Sequence, residues 1–493
     1  MNEANIMKTT MGHFPSLTFW ALCMAMLTAS GCMVGPDYVR PQTEAPAEWS
    51  GLAEAPKGQT PIAITGEPDL TQWWKQFNDP VMTGLIEEAL KANLDLKSAE
   101  AVVRQARASR GIASAALWPS VGASAGYQRE RTTTAPTDQN LFQAGLDAVW
   151  ELDIFGGLHR NIEAADANVE AAVENMHAVQ VSLVAEVALD YVQLRGYQQE
   201  VLVAQQSQKV QKETADITRK LFAAGFDTAL DVANADAAVA TTEAQIPVYE
   251  TAARQSIFAL SILLARPPAD LLQQLSAPAG LPVVPAHVPA GLPSGLLRRR
   301  PDIKAAEAQL HAATAQIGVA TADFFPQFSL TGSVNWNSNL LRTWWNTANR
   351  TFGAGPSVTW PIFQGGAVAA NVRLQEALRD QAFIAYQKSV LTAFQDVENA
   401  LTAFFNEQQH RTSLSDAAAA NRKAVDLSLT LYTGGQNNFL TVTAAQQSLY
   451  ATENALVQSD CSMASDLIAL FKALGGGGES LPSRADTTKD ARL

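Results

Sequence analysis

Four short stretches of the chain alternate apolar and polar residues with a period of two. In PQFSLTGSVNWN (326–337), Phe328, Leu330, Gly332, Val334 and Trp336 alternate with Gln327, Ser329, Thr331, Ser333, Asn335 and Asn337. Over 352–362, Phe352, Ala354, Pro356, Val358, Trp360 and Ile362 alternate with Gly353, Gly355, Ser357 and Thr359. Phe142, Ala144, Leu146, Ala148, Trp150 and Leu152 repeat the pattern over 142–153, and Val121, Ala123, Ala125 and Tyr127 form a weaker fourth copy. Successive strand side chains point to opposite faces, so each stretch predicts a strand with one apolar face and one small, polar face. Elsewhere the period is helical. No proline occurs over 137–246 or 362–481, and both stretches are rich in Ala, Gln, Glu, Leu and Val, which favour helix. Residues 158–222 predict a single helix, roughly 100 Å long at 1.5 Å per residue. Val181, Val184, Ala188, Tyr191, Val192 and Val201 mark its packed face. A helix of that length requires coiled-coil-like partners.

Strands of about 11 residues with Trp or Tyr near their ends have the length of a tilted membrane strand rather than of a half-buried soluble sheet. Four of them do not close a barrel, since bacterial barrels begin at about eight strands, and open edges in lipid leave N–H and C=O groups unpaired. The chain therefore has to associate. Two copies would supply eight strands and an interior filled by side chains; three would supply twelve and an aqueous channel, which makes a homotrimer the expectation.

The chain also repeats itself. DLKSAEA at Asp95 returns as DIKAAEA at Asp302, and LWPSV at Leu117 as FFPQF at Phe324, both 207 positions on. DIFGG at Asp153 matches PIFQGG at Pro361, and IFALSILLA at Ile257 matches LIALFKALG at Leu467, now 210 positions on. Each half is read as helix, two strands, long helix, turn, helix. Prolines 278, 282, 285, 289 and 293 punctuate the joint and forbid regular helix there. The predicted organisation is a signal segment 1–31, an extended tether 32–72, a first repeat 73–276, a Pro-rich linker 277–297, a second repeat 298–478 and a disordered tail 479–493.

The amino terminus reads as targeting information. Lys8 precedes the apolar run LTFWALCMAML, too short to span a bilayer, and small residues then lead to Cys32. That arrangement resembles a bacterial lipobox with Cys32 as the lipidated first residue, although Ala29 stands where leucine is usual and Met7 is an alternative start. One acylated chain holds a protein to a membrane only moderately, so a second anchor is expected in the rest of the sequence. The net charge of −13 excludes nucleic acid as a main partner. Cys23, Cys32 and Cys461 have no metal or disulfide spacing, and the six histidines are scattered. No metal or cofactor is expected beyond the lipid on Cys32. GASAG (122–126) matches a nucleophile pattern, but Ser124 lies inside an alternating strand rather than at a strand-to-helix elbow. No enzymatic activity is expected. Arg298, Arg299 and Arg300 read as a solvated helix start with Pro301 in the first turn, and Cys461 as a small helix-packing residue.

Taken together, GCMVGPDYVRP (31–41), WWKQFNDPVMTGLIEEALKANLDL (73–96), ELDIFGG (151–157), RRRPDIKAAEAQL (298–310) and PIFQGG (361–366) make the chain similar to the TolC-like outer-membrane efflux factors, in the lipoprotein branch that partners RND pumps. The resemblance implies a homotrimeric membrane α+β fold. A 12-stranded outer-membrane barrel, four strands per chain, would continue into a long periplasmic α-helical barrel. It implies an exit duct for small molecules, working with a periplasmic adaptor and an inner-membrane RND transporter. A type I protein-secretion channel shares the architecture, and an envelope structural protein would share the long helices. LFAAGFDTALDV (221–232) and LYTGGQNNFLTV (431–442) align 210 positions apart and would be the periplasmic tips. There Phe222, Gly225, Gly435 and Gln436 would meet the adaptor, and Asp227, Asp231, Tyr432, Asn437 and Thr441 would form the gate. Arg219, Lys220, Arg422 and Lys423 are the candidate basic partners of the acids, and Asp227 alternatively caps the following helix.

Overall fold

The computed structural model describes residues 33–50, 62–63, 70–131, 137–285, 288–289 and 293–478. The signal segment, Cys32 and the 479–493 tail lie outside the described residues. The chain divides into two compact units. One comprises, among the described residues, 33–39 with Ala108–Ala167 and His311–Gln381; the other comprises Arg40–Arg107, Asn168–Leu310 and the chain from Ala382.

The elements follow one plan twice. α1 (Pro80–Ala92) precedes α2 (Leu94–Ala115), strands β1 (Ser120–Glu130) and β2 (Gln139–Leu152), then α3 (Gly157–Ala223) and α4 (Ala229–Leu263). The second round is α5 (Pro301–Ala322), β3 (Gln327–Ser338), β4 (Arg350–Thr359), α6 (Ala367–Thr433) and α7 (Phe439–Ala473). α2 and α5 each have 22 residues, α3 and α6 each 67, and α4 and α7 each 35. Helix lengths are thus conserved between the rounds to the residue.

The first unit is built on a four-stranded antiparallel sheet in the order β1-β2-β3-β4. Its register puts the alternation in phase across all four strands. One row runs Val121, Ala148, Gly332, Ala354 and the next Ala123, Leu146, Val334, Phe352. On the other face, rows such as Gly122, Asp147, Ser333, Gly353 and Ser124, Gly145, Asn335, Thr351 are small and polar. Directly opposed residues share a face, so a one-residue slip of any strand would mix the two surfaces. Among the described residues, β1 and β4 have no second neighbour, and Val121, Leu146, Leu330 and Phe352 on the apolar face are exposed, Phe352 by 78%.

The second unit owes its core to helix packing. Trp73 and Phe471 stack with ring centroids 4.9 Å apart, and Phe77 meets both edge-on. Asp79 caps α1 through the Val81 and Met82 amides and also accepts the Tyr191 hydroxyl at 2.9 Å. Val181, Val184, Ala188, Tyr191 and Val192 are buried as their spacing predicts, and Val201 is half-buried. Gly476 lies so close to Trp73 and the Phe471 carbonyl that a Cβ there would come within 2.8 and 3.0 Å. Cys461 packs against Gly196. Arg300 departs from its expected solvated place: it is buried, and holds Asp302 at 2.6 Å, Asp396 at 2.9 Å and the Ala473 carbonyl at 3.1 Å. A guanidinium satisfies three acceptors at once, which a helix start lying beside α6 and the end of α7 can supply.

Phe471→Ala should lower unfolding free energy by about 3–5 kcal/mol, read as a lower denaturant midpoint of the detergent-solubilised protein. Phe226→Ala, at an 81% exposed ring, should change it by less than about 0.5 kcal/mol. A second expectation concerns pH. Burial, helped by Glu186, pushes Asp190 up to about 6, and burial, helped by Glu407, does the same to Asp466. The fold favours their protonated forms, so their contribution is greatest below the ordinary aspartate value near 4 and is lost as pH rises through about 6. The thermal midpoint should rise from pH 7 to pH 5, and Asp190→Asn with Asp466→Asn should flatten that rise.

Candidate functional site

The two predicted tips have one backbone design. Each long helix ends in a turn in which the sixth residue donates back to the first: Phe226 N to Leu221 O at 2.9 Å, and Gln436 N to Leu431 O at 2.8 Å. Gly225 donates to Phe222 O and Gly435 to Tyr432 O, each at 3.0 Å. The two glycines have φ of +82° and +72°, a left-handed conformation that costs glycine nothing and lets the carbonyls of the last turn be satisfied.

The next helices start differently. Thr228 caps α4 in a reciprocal box: its hydroxyl accepts the Asp231 amide at 3.2 Å while the Asp231 carboxylate takes the Thr228 hydroxyl at 2.6 Å and amide at 3.3 Å. In the second tip Asn438 alone caps α7, accepting the Thr441 amide at 3.1 Å and hydroxyl at 2.9 Å. Asn437 accepts the Asn438 amide at 2.9 Å. The cap of α4 is therefore Thr228 and not Asp227.

Asp227 is instead turned to the other repeat. The Tyr432 hydroxyl donates to the Asp227 carboxylate and lies 2.9 Å from the Thr218 hydroxyl, which itself donates to the Thr214 carbonyl. The Tyr432 ring is 3% exposed and packs with Ala215, Ala235, Phe439 and Val442 in a small apolar cluster separate from the main core. Phe222, the equivalent residue 210 positions earlier, is 46% exposed and has no hydroxyl. Nearby, Gln446 donates to Thr214 at 2.7 Å, a second polar tie between α7 and α3. Burial, reinforced by the hydrogen bond to Asp227, pushes the Tyr432 phenol up to about 12. The phenol is thus a neutral donor, and its bond persists below the ordinary value near 10 and is lost as pH rises through about 12.

Of the expected gate residues, Asp227 and Tyr432 come together. Asp231 and Thr441 serve the two caps, and Asn437 accepts the amide of the cap residue Asn438. Arg219 pairs with Asp216 and Asp236, and Arg422 with Glu453, rather than with either tip acid. Thr218 escaped the sequence reading, although Gln211, Thr214 and Thr218 form a polar run at helical spacing on α3. Phe222, Gly225, Gly435 and Gln436 are all exposed. Among the described residues no group of three or more His, Cys, Asp or Glu could hold a metal ion.

The sequence and the fold have known counterparts. A family described as Outer membrane efflux protein matches residues 85–266 and again 292–476. Nodulation protein T of Rhizobium leguminosarum bv. viciae is 32% identical over 93% of this chain and 93% of its own length. The pyoverdine export outer membrane protein OpmQ of Pseudomonas aeruginosa is 32% identical over 93% of this chain and 97% of its own. The solved outer-membrane channel OprN superposes with a TM-score of 0.83 at 35% identity, covering 91% of this chain and all of that one. The double match falls on the two rounds of helix and strand, and the chain belongs to the outer membrane efflux protein family.

Proposed function

We propose that this chain is the outer-membrane exit duct of a tripartite efflux pump. Three copies close a 12-stranded barrel and conduct, without chemistry of their own, small molecules that an inner-membrane RND transporter delivers through a periplasmic adaptor. The observation that carries the reading is the sheet. Its apolar rows lie on one face, its small polar rows on the other, and among the described residues its two outer strands have no second neighbour to pair their outer N–H and C=O groups. Lipid on one side and water on the other match the two faces, and only lateral pairing with further copies satisfies the edges. Leu94, Val102 and Ile112 on α2, and Leu374, Leu378, Ile384 and Leu391 on α6, are also exposed. These helices flank the outer strands in sequence, and neighbouring copies would cover them. Pyoverdine export by one relative agrees with small-molecule cargo.

Lipidation at Cys32 supplies one anchor and the barrel the second. The tips form the periplasmic gate, with the Tyr432–Asp227 bond as the tie between repeats and Phe222, Gly225, Gly435 and Gln436 as the exposed surface for the adaptor.

Crosslinking of the protein in native membranes should give trimers as the end product; a ladder that stops at dimers excludes twelve strands. In planar bilayers Tyr432→Phe and Asp227→Asn should each raise resting conductance about tenfold or more, as loss of one charge-assisted hydrogen bond of about 1.5–3 kcal/mol predicts. Resting conductance equal to the wild type in both variants would remove the pair from the gate.

A further inference from the structure

The segment that follows Cys32 is bound into the sheet-bearing unit by a purpose-built pocket. The Arg160 side chain is only 3% exposed. Its Nε donates to the Val34 carbonyl at 3.2 Å, one Nη to the Gly35 carbonyl at 3.4 Å and to the Asp37 carboxylate at 2.6 Å, and the other Nη to Glu163 at 2.8 Å. Glu163 also lies 3.0 Å from His311 Nε2, and the His311 ring stacks on Tyr38 with centroids 4.4 Å apart. The Val34 amide donates to the Phe155 carbonyl at 3.1 Å. Glycines make the room. A Cβ on Gly156 would meet Met33 Cα at 2.9 Å, and one on Gly318 would meet the Arg160 side chain at 2.7 Å and the Val34 carbonyl at 2.9 Å.

The same end of the sheet carries a duplicated aromatic device. β1 begins there, β2 ends, β3 begins and β4 ends. Trp150 donates its indole N–H to the Leu117 carbonyl at 2.9 Å, and Trp360 donates to Phe324 at 3.0 Å. Both indoles are exposed, as is Trp118. Indoles tied to the backbone at a strand end, with apolar faces outward, suit the headgroup level of a bilayer.

We propose that Arg160 is a positioning residue that seats the segment 33–38 against this end of the sheet, so that an acyl chain on Cys32 enters the membrane at the tryptophan level and guides insertion. The proposal rests on the lipoprotein reading given above. A flexible tether would let the acylated residue wander over tens of ångströms; a segment held through three backbone groups, one carboxylate and one stacked ring does not. Without the segment the guanidinium keeps Glu163 but loses the Val34 and Gly35 carbonyls and the Asp37 carboxylate, and regaining those acceptors favours seating.

The test is a two-by-two comparison of wild type, Arg160→Ala, Cys32→Ser and the double variant, read as the rate at which newly made chain becomes the SDS-resistant assembled form in the outer membrane. Arg160→Ala should slow assembly about tenfold, the size of one charge-assisted hydrogen bond lost at the rate-limiting step. In the Cys32→Ser background it should add less than about twofold, because both changes act on one step. Asp37→Asn leaves Arg160 paired with Glu163 and should give the same non-additive pattern at smaller amplitude, even where Arg160→Ala fails to fold. Equal slowing in both backgrounds, or none in either, overturns the proposal. Mass spectrometry of the mature amino-terminal peptide reads the lipid independently: a Cys32 peptide without acyl mass refutes the lipoprotein reading and the role of the clamp with it.

Discussion

Backbone hydrogen bonding at the edges of one sheet is the constraint on which the rest of this protein depends. Four strands in register satisfy the interior of the sheet and leave the outer N–H and C=O groups of β1 and β4 without protein partners among the described residues. In water such groups are solvated; in the outer membrane, where this family resides, they are not. The apolar face raises the same demand, since Val121, Leu146, Leu330 and Phe352 are exposed on a single chain. The proposed self-association would answer both, and would also cover the exposed apolar residues of α2 and α6.

Duplication supplies geometry, and divergence supplies chemistry. The two rounds keep helix lengths of 22, 67 and 35 residues and the same left-handed glycine at the turn. The chemistry of the tips comes from what the copies do not share. Tyr432 has a hydroxyl where Phe222 has none, and Asp227 has a carboxylate where Asn437 has an amide. A duplicated turn with identical side chains would have no reason to pair crosswise; the exchange of one group in each copy gives a donor and an acceptor that meet between repeats. Asp231 is the counterexample. It is an aspartate like Asp227 but is consumed by the Thr228 capping box, a local task that Asn438 accomplishes without an acid in the other copy.

Buried arginines recur as the joints of irregular segments. Arg300 ties the start of α5 to α6 and to the last carbonyls of α7, while Arg160 ties the amino-terminal segment to the start of α3. In each case a planar, permanently charged fork meets backbone carbonyls and carboxylates that regular secondary structure leaves unsatisfied. Glu163 shows the electrostatic result. Burial alone would raise its carboxyl, but hydrogen bonds from Arg160 and His311 outweigh it and the net shift is downward.

The sequence by itself determined the elements and the fold class. Period-two alternation located all four strands to within a few residues, the proline-free runs located helices of 67 residues, and offsets of 207 and 210 exposed the duplication. These features are legible because they are local: each depends on spacing along the chain. Tertiary structure decided which polar group meets which. Asp227 faces Tyr432, 205 residues away, and Arg160 faces Asp37, 123 residues away. No spacing rule distinguishes Asp227 from Asp231, or a buried Arg300 from its neighbours Arg298 and Arg299. Those outcomes depend on which acceptors the packed helices leave unsatisfied, and that is settled only when distant segments come together.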